Sequence, residues 1–108
     1  MKVEIHAQHI ELSQKLRAYI QEKLQFGLNR FEKHISGVSI DLSDVNGQKS
    51  GPNKQCQIQI ILTNIEGIII KDTQANLYLA IDRAMQRAGR SVAWEINHNT
   101  SKNINERK

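Results

Sequence analysis

Arg83, Arg87, Arg90 and Trp94 follow one another at steps of four, three and four in AIDRAMQRAGRSVAW, residues 80–94. On a helix such steps bring all four side chains to one face, about a turn apart. Guanidinium groups grip phosphate oxygens through paired N–H donors, and a planar ring stacks on an unpaired base. The stripe therefore reads either as a face built to meet something negative and flat or as an ordinary solvated exterior. Lys15, Lys23, Arg30 and Lys33 fall on one flank of an earlier helical stretch together with Tyr19 and Phe26, and Lys49 and Lys54 extend the positive charge into a polar loop. On that flank Tyr19 and Phe26 read either as stacking rings or as the sealed edge of a core.

Groupings for catalysis are missing from the sequence. His6, His9, His34 and His98 stand at no metal-ligand spacing with Cys56 or with one another. There is no G-x-S-x-G, P-loop or dinucleotide glycine pattern. Cys56 falls on the inward side of a strand, where a thiol is ordinarily a small hydrophobe with a raised pKa. Asp82 beside Arg83 reads as a surface ion-pair partner. The expectation is a non-enzyme without a metal, a cofactor or a small-molecule substrate.

Fifteen Lys and Arg against eleven Asp and Glu give a formal charge of +4. This basic bias favours nucleic acid or an acidic surface as partner. The single cysteine excludes an intramolecular disulfide and fits a reducing compartment. MKVEIHAQHIE alternates charge without a long apolar run, and IQIIL and IEGIII are too short to cross a bilayer. A cytoplasmic protein with no membrane partner is expected.

The elements that must position these residues follow from periodicity. KVEIH alternates as a strand, and Ser13 is placed to cap a helix over about 14–32 carrying Leu16, Ile20, Leu24, Leu28 and Phe31 at helical spacing. VSIDLSD alternates with Val38, Ile40 and Leu42 inward. NGQKSGPNK, with bends at Asn46-Gly47 and Gly51-Pro52, reads as a long hairpin loop. QCQIQIILT puts Cys56, Ile58, Ile60 and Leu62 on one face and Gln55, Gln57, Gln59 and Ile61 on the other. After a turn at NIEG, IIIKD is a fourth strand. Asn76 caps a last helix whose inner stripe is Leu77, Ile81, Ala84, Ala88, Val92 and Ile96. The order predicts a two-layer α+β domain over 1–97, βαβββα, with a four-stranded, antiparallel-rich sheet and both helices on one face. Residues 98–108 read as a polar, flexible tail.

At this point the chain resembles a known family. The order of elements, Leu16-Arg17 opening the first helix, and NLYLAIDRAMQRAGR with its Tyr78-Leu79-Ala80-Ile81-Asp82 run are similar to the ribosome hibernation-promoting factor and ribosome-associated inhibitor (sigma-54 modulation protein) family. Asp44-Val45-Asn46-Gly47, followed by Gly51, Asn53-Lys54 and Cys56, resembles a subgroup of short bacterial members. The resemblance covers residues 2 to 96 and implies the βαβββα fold. It also implies a translation regulator that occupies the mRNA and tRNA channel of the small ribosomal subunit during stress or stationary phase, with basic residues of both helices on ribosomal RNA. By position, Lys23 matches a first-helix Lys, and Arg87 and Arg90 match a Lys and an Arg of the last helix; Arg83 enters on the stripe alone. Two stretches depart from the family pattern. Trp94-Glu95-Ile96-Asn97 stands where typical members carry more Lys and Arg, which implies a weaker electrostatic grip. GLNRF replaces a Lys-Leu-Glu-rich helix end, where Gly27 either permits close packing or weakens the helix by roughly 1 kcal/mol relative to Ala. The extra C-terminal domain of long members is not in the sequence.

The leading expectation is an RNA-binding regulator using Lys23, Arg30, Lys54, Arg83, Arg87 and Arg90 on phosphates, with Trp94 or Tyr19 stacking. The alternative is a protein-interaction module of the same fold, without ribosome binding, that works through the Gln-rich sheet face or the loop.

Overall fold

The computed structural model describes residues 1–45 and 53–106, with side chains as far as His98. Strand β1 (Lys2–Gln8) leads through helix α1 (Gln14–Leu28) and a 3-10 segment (Asn29–His34) into β2 (Ile35–Asp44), β3 (Lys54–Leu62), β4 (Ile68–Gln74) and helix α2 (Leu77–Glu106). The strands lie in the order β1-β2-β3-β4. β1 pairs parallel with β2, in register from Lys2↔Gly37 to Gln8↔Ser43, because α1 carries the chain back between them. β2–β3 and β3–β4 are antiparallel, so the sheet is mixed. The bends expected at Asn46-Gly47 and Gly51-Pro52, with Lys49, lie outside the described residues. On either side of them Val45 N–H donates to the Asn53 carbonyl at 2.8 Å, closing the β2–β3 hairpin.

The helix starts are those expected. Ser13 Oγ accepts from Leu16 N–H at 3.1 Å, and Asn76 Oδ1 accepts from Tyr78 and Leu79 N–H at 2.8 and 3.3 Å. Each cap satisfies backbone donors that would otherwise be orphaned, worth about 1 kcal/mol. The helix ends differ from the sequence reading. The α-helical turns of α1 stop at Leu28, and residues expected to continue them tighten into the 3-10 segment. Gly27 and Asn29 are poor helix formers at that point. The tighter turn delivers Ile35 into the core at the start of β2. The backbone of α2, in contrast, continues as helix to Glu106, past the end expected near 97.

Alternation along β2 holds only because of a bulge. Ile35 and Val38 are both buried, yet they differ by an odd number of positions. The register slips between Ile35↔Leu62 and Gly37↔Ile61, and the extra residue, Ser36, donates its hydroxyl to the Ile61 carbonyl at 3.1 Å. Below the bulge Val38, Ile40 and Leu42 face the helices, as do Cys56, Ile58, Ile60 and Leu62 of β3 and Ile68 and Ile70 of β4. Leu16, Ile20, Leu24 and Leu28 of α1 and Ala80, Ile81, Ala84, Met85, Ala88 and Val92 of α2 complete the core. All buried side chains are apolar among the described residues. The opposite sheet face is open to solvent.

The two helices run parallel. Tyr19 meets Tyr78 edge to face at 4.8 Å between centroids, Lys23 meets Asp82, and Gly27 meets Gly89, so contacts advance together along both. α2 lies over β3 and β4. α1 lies toward β1, where Leu24, Gln25 and Asn29 share a cleft with Met1 and Val3.

Candidate nucleic-acid interface

With the inner stripe of α2 on the sheet and the Asp82–Gly89 side against α1, the remaining surface divides in two. Arg83 and Arg90 project to solvent on the side away from the sheet, and neither makes a hydrogen bond or ion pair among the described residues. Arg87 turns the other way. Its guanidinium donates to the Lys71 carbonyl of β4 at 2.7 Å and sits 3.3 Å from Asp72 Oδ2, a carboxylate only 11% exposed and itself holding Gln74 Nε2 at 2.7 Å. The four-residue stripe is therefore two surfaces, because one α-helical turn between Arg83 and Arg87 overshoots a full circle by about 40° and carries the side chain toward the sheet edge. Trp94 projects between the directions of Arg83 and Arg87, about 20° from each on a regular helix. It is 56% exposed, and its indole stacks on His98 one turn later, at 4.0 Å and 17°.

On the first helix Lys23 faces the seam. Its Nζ is 3.4 Å from Asp82 Oδ1 and 5.3 Å from the Tyr19 ring centroid. Tyr19 Oη donates to the same Asp82 oxygen at 2.6 Å, so Asp82 ties the helices together. That hydrogen bond, helped by burial and the negative charge of Asp82, pushes the Tyr19 phenol from 10.0 up to about 12. Arg30 is exposed and places its guanidinium 4.6 Å from the Phe31 centroid. Lys54 stands apart at the first position of β3, in an ion pair of 2.7 Å with Asp44, which also accepts from Asn53 Nδ2 at 3.2 Å. Its charge supports the base of the hairpin and not the helical face. Lys23, Arg30, Arg83, Arg90 and Trp94 thus all stand on the helical layer, while Arg87 leaves the same helix for the edge of β4 and Lys54 stands on the sheet.

In sequence Phe26 reads either as a stacking ring or as a sealed core edge, and the structure places it outside the core. The ring is 82% exposed on the solvent side of α1, one turn before Arg30 and three residues after Lys23. The signal lay in the ladder Leu16–Ile20–Leu24–Leu28: position 26 is two steps from both neighbours and so about 200° from the core.

Charge divides by layer. α1, the 3-10 segment and α2 to His98 carry eight Lys and Arg against four Asp and Glu; the four strands carry three against four. Between the two layers the positive surplus belongs to the helices, and residues 99–108 add three further Lys and Arg against one Glu in sequence. The open sheet face is polar and mixed, with the row His6, Asp41, Gln57 and Lys71 crossing all four strands, and with Ile61 and Ile69 exposed toward one end.

Cys56 is fully buried beneath the helices. Burial, with the carboxylates of Asp72 and Asp41 adding to it, pushes its thiol from 9.0 up to about 12. A thiol so held has almost no thiolate at neutral pH. Both raised values carry the same sign for stability. The fold favours the neutral thiol and phenol, so their contribution is intact below about pH 9 and is lost as pH rises from 9 toward 12. The expected result is negligible labelling of native Cys56 by a thiol reagent at pH 7, full labelling in denaturant, and a denaturation midpoint that is flat from pH 7 to 9 and falls above it. Rapid native labelling would put the thiol at the surface. No group of three or more His, Cys, Asp or Glu able to hold a metal ion occurs among the described residues, and no described helix is long and apolar enough to cross a membrane.

A mixed four-stranded sheet carrying two parallel helices, with its positive charge collected on the helical side, defines a two-layer α+β domain with a basic helical face. Residues 3–93 match the family described as sigma 54 modulation protein / S30EA ribosomal protein, and the chain belongs to that family. Among solved structures, it is similar to the N-terminal domain of Protein Y from Thermus thermophilus, with a TM-score of 0.70, 26% identity, and coverage of 85% of this chain and 96% of that one. A ribosomal subunit interface protein from Coxiella burnetii shares the fold, with a TM-score of 0.70, 20% identity, and coverage of 86% and 94%. No curated protein gives a significant match.

Proposed function

We propose that this chain is a non-enzymatic translation regulator that docks on the small ribosomal subunit. The solvent side of α1 and α2 lies on ribosomal RNA in the mRNA and tRNA channel, in the cytoplasm of a stressed or stationary bacterial cell. The observation that carries this reading is the pair of unengaged arginines, Arg83 and Arg90, on the layer with the positive surplus. Family membership and the Coxiella neighbour's description as a ribosomal subunit interface protein support it. The mechanism is occupancy: guanidinium and ammonium groups neutralise phosphates and the domain fills space that message and tRNA need. No bond is made or broken.

Cosedimentation with separated ribosomal subunits tests this directly. The protein should pellet with the small subunit at low salt. Three or four phosphate contacts predict a loss of affinity of roughly 40- to 150-fold between 50 and 200 mM salt. Salt-independent binding would remove the electrostatic mechanism. Binding to neither subunit at low salt would remove the ribosomal role and leave the open sheet face, with exposed Ile61 and Ile69, as the surface of a protein-interaction module.

A further inference from the structure

Five aromatic rings occur in the chain, and four of them are engaged by its own side chains. Tyr19 and Tyr78 meet edge to face in the helix seam, with the Tyr19 hydroxyl fixed on Asp82. Phe31 packs against the core beneath Arg30. One face of Trp94 is covered by His98. Phe26 alone stands clear, with 82% of its surface in solvent on a regular α-helical turn. A ring this exposed gives the fold almost nothing, since burial is what an aromatic side chain contributes to stability.

We propose that Phe26 is a stacking platform for an unpaired nucleobase of the RNA on which the helical face docks; this rests on the RNA-binding reading above. Its surroundings fit a nucleotide better than an apolar partner. Lys23, paired with Asp82, precedes it on α1, Arg30 follows it in the 3-10 segment, Arg83 and Arg90 are exposed on the neighbouring helix, and Glu22 is the one carboxylate on α1. A flat ring between cations reads a base by its face while the cations take the flanking phosphates. Stacking uses the π-face that every base has, so the contact holds the strand without selecting its sequence. The helix fixes the backbone of Phe26 in advance, so only the side chain is left to order on binding.

The test is affinity for purified small subunits at fixed salt, for wild type, Phe26→Ala, Phe26→Leu and Phe26→Trp. Because the position is exposed, all four should fold alike. Ala and Leu are expected to weaken binding by about tenfold and Trp to equal or exceed wild type. The slope of log affinity against log salt should be the same in all four, since no phosphate contact is removed. Leu binding as well as Phe would overturn the proposal, because an apolar contact with a ribosomal protein needs no ring; so would Ala equal to wild type. A second readout stands apart from the ribosome. In Phe26→Trp/Trp94→Phe, emission from the new indole is expected to be quenched by single-stranded oligouridylate. Quenching without subunit binding would keep the stacking and sink the ribosomal reading, and unchanged emission with intact subunit binding would do the reverse.

Discussion

Arg83→Glu/Arg90→Glu is expected to lower affinity for the small subunit by at least about a hundredfold. Each charge-assisted hydrogen bond to a phosphate is worth about 1.5–3 kcal/mol, and reversal adds repulsion to the loss. The salt slope should shrink by about 1.5–2, the signature of two phosphate contacts removed. Stability should stay within about 0.5 kcal/mol of wild type, because both arginines are exposed and neither makes a hydrogen bond or ion pair among the described residues. Arg87→Ala is expected to behave differently. Its guanidinium is committed to Asp72 and to the Lys71 carbonyl, so its removal leaves a nearly buried carboxylate short of its cation. The effect should be a loss of about 1–3 kcal/mol in stability with a smaller loss in binding. Binding measured in parallel for Arg83→Ala, Arg87→Ala and Arg90→Ala ranks the three. If Arg87→Ala proved as damaging to binding as the other two, phosphate would be displacing Asp72 in the complex and the division of the stripe would be wrong.

That division marks the limit of the sequence. Spacings of four, three and four place four residues on one side of a helix, and this was correct as helix geometry. What periodicity lacks is the direction of the neighbours. Arg87 is drawn to the sheet edge by Asp72, a residue fifteen positions earlier whose inward orientation depends on the β3–β4 register. Lys23 and Asp82, 59 positions apart, meet only because the helices run parallel. The fold was far more legible: the inward runs of β2 and β3, both N-caps and the apolar ladder of α1 are local patterns with periods of 2 and 3.6. Where local pattern competes with packing, it failed by a turn, as at Leu28, where the chain tightens to bring Ile35 inward. Phe26 is a separate case. Its outward direction was fixed by the same ladder that fixed the core, but a phenylalanine beside apolar neighbours invites assignment to the interior on composition alone.

The helix seam sets the spacing of the whole candidate face, and two glycines set the seam. A Cβ on Gly89 would stand 3.3 Å from the Gly27 carbonyl oxygen, which belongs to the backbone of the opposing helix and cannot rotate away. A Cβ on Gly27 would stand 3.9 Å from the Met85 carbonyl, an ordinary contact. The substitutions should therefore part in sign. Gly27→Ala is expected to stabilise by up to about 1 kcal/mol, through helix propensity and a less flexible unfolded chain. Gly89→Leu must push the helices apart and is expected to destabilise by about 3 kcal/mol, lowering the thermal midpoint by roughly 10–20 °C. Scanning calorimetry reads both. The same displacement would pull Asp82 from Tyr19 and Lys23, so the Tyr19 phenol, held at about 12 by that hydrogen bond, should fall back toward 10.0 in a spectrophotometric titration of folded Gly89→Leu. A variant that lost stability yet kept the high phenol value would show that the strain is absorbed inside α2 and the seam stays closed. In that event the separation between Lys23 and Phe26 on α1 and Arg83 and Arg90 on α2 is held by Asp82 and not by the glycines.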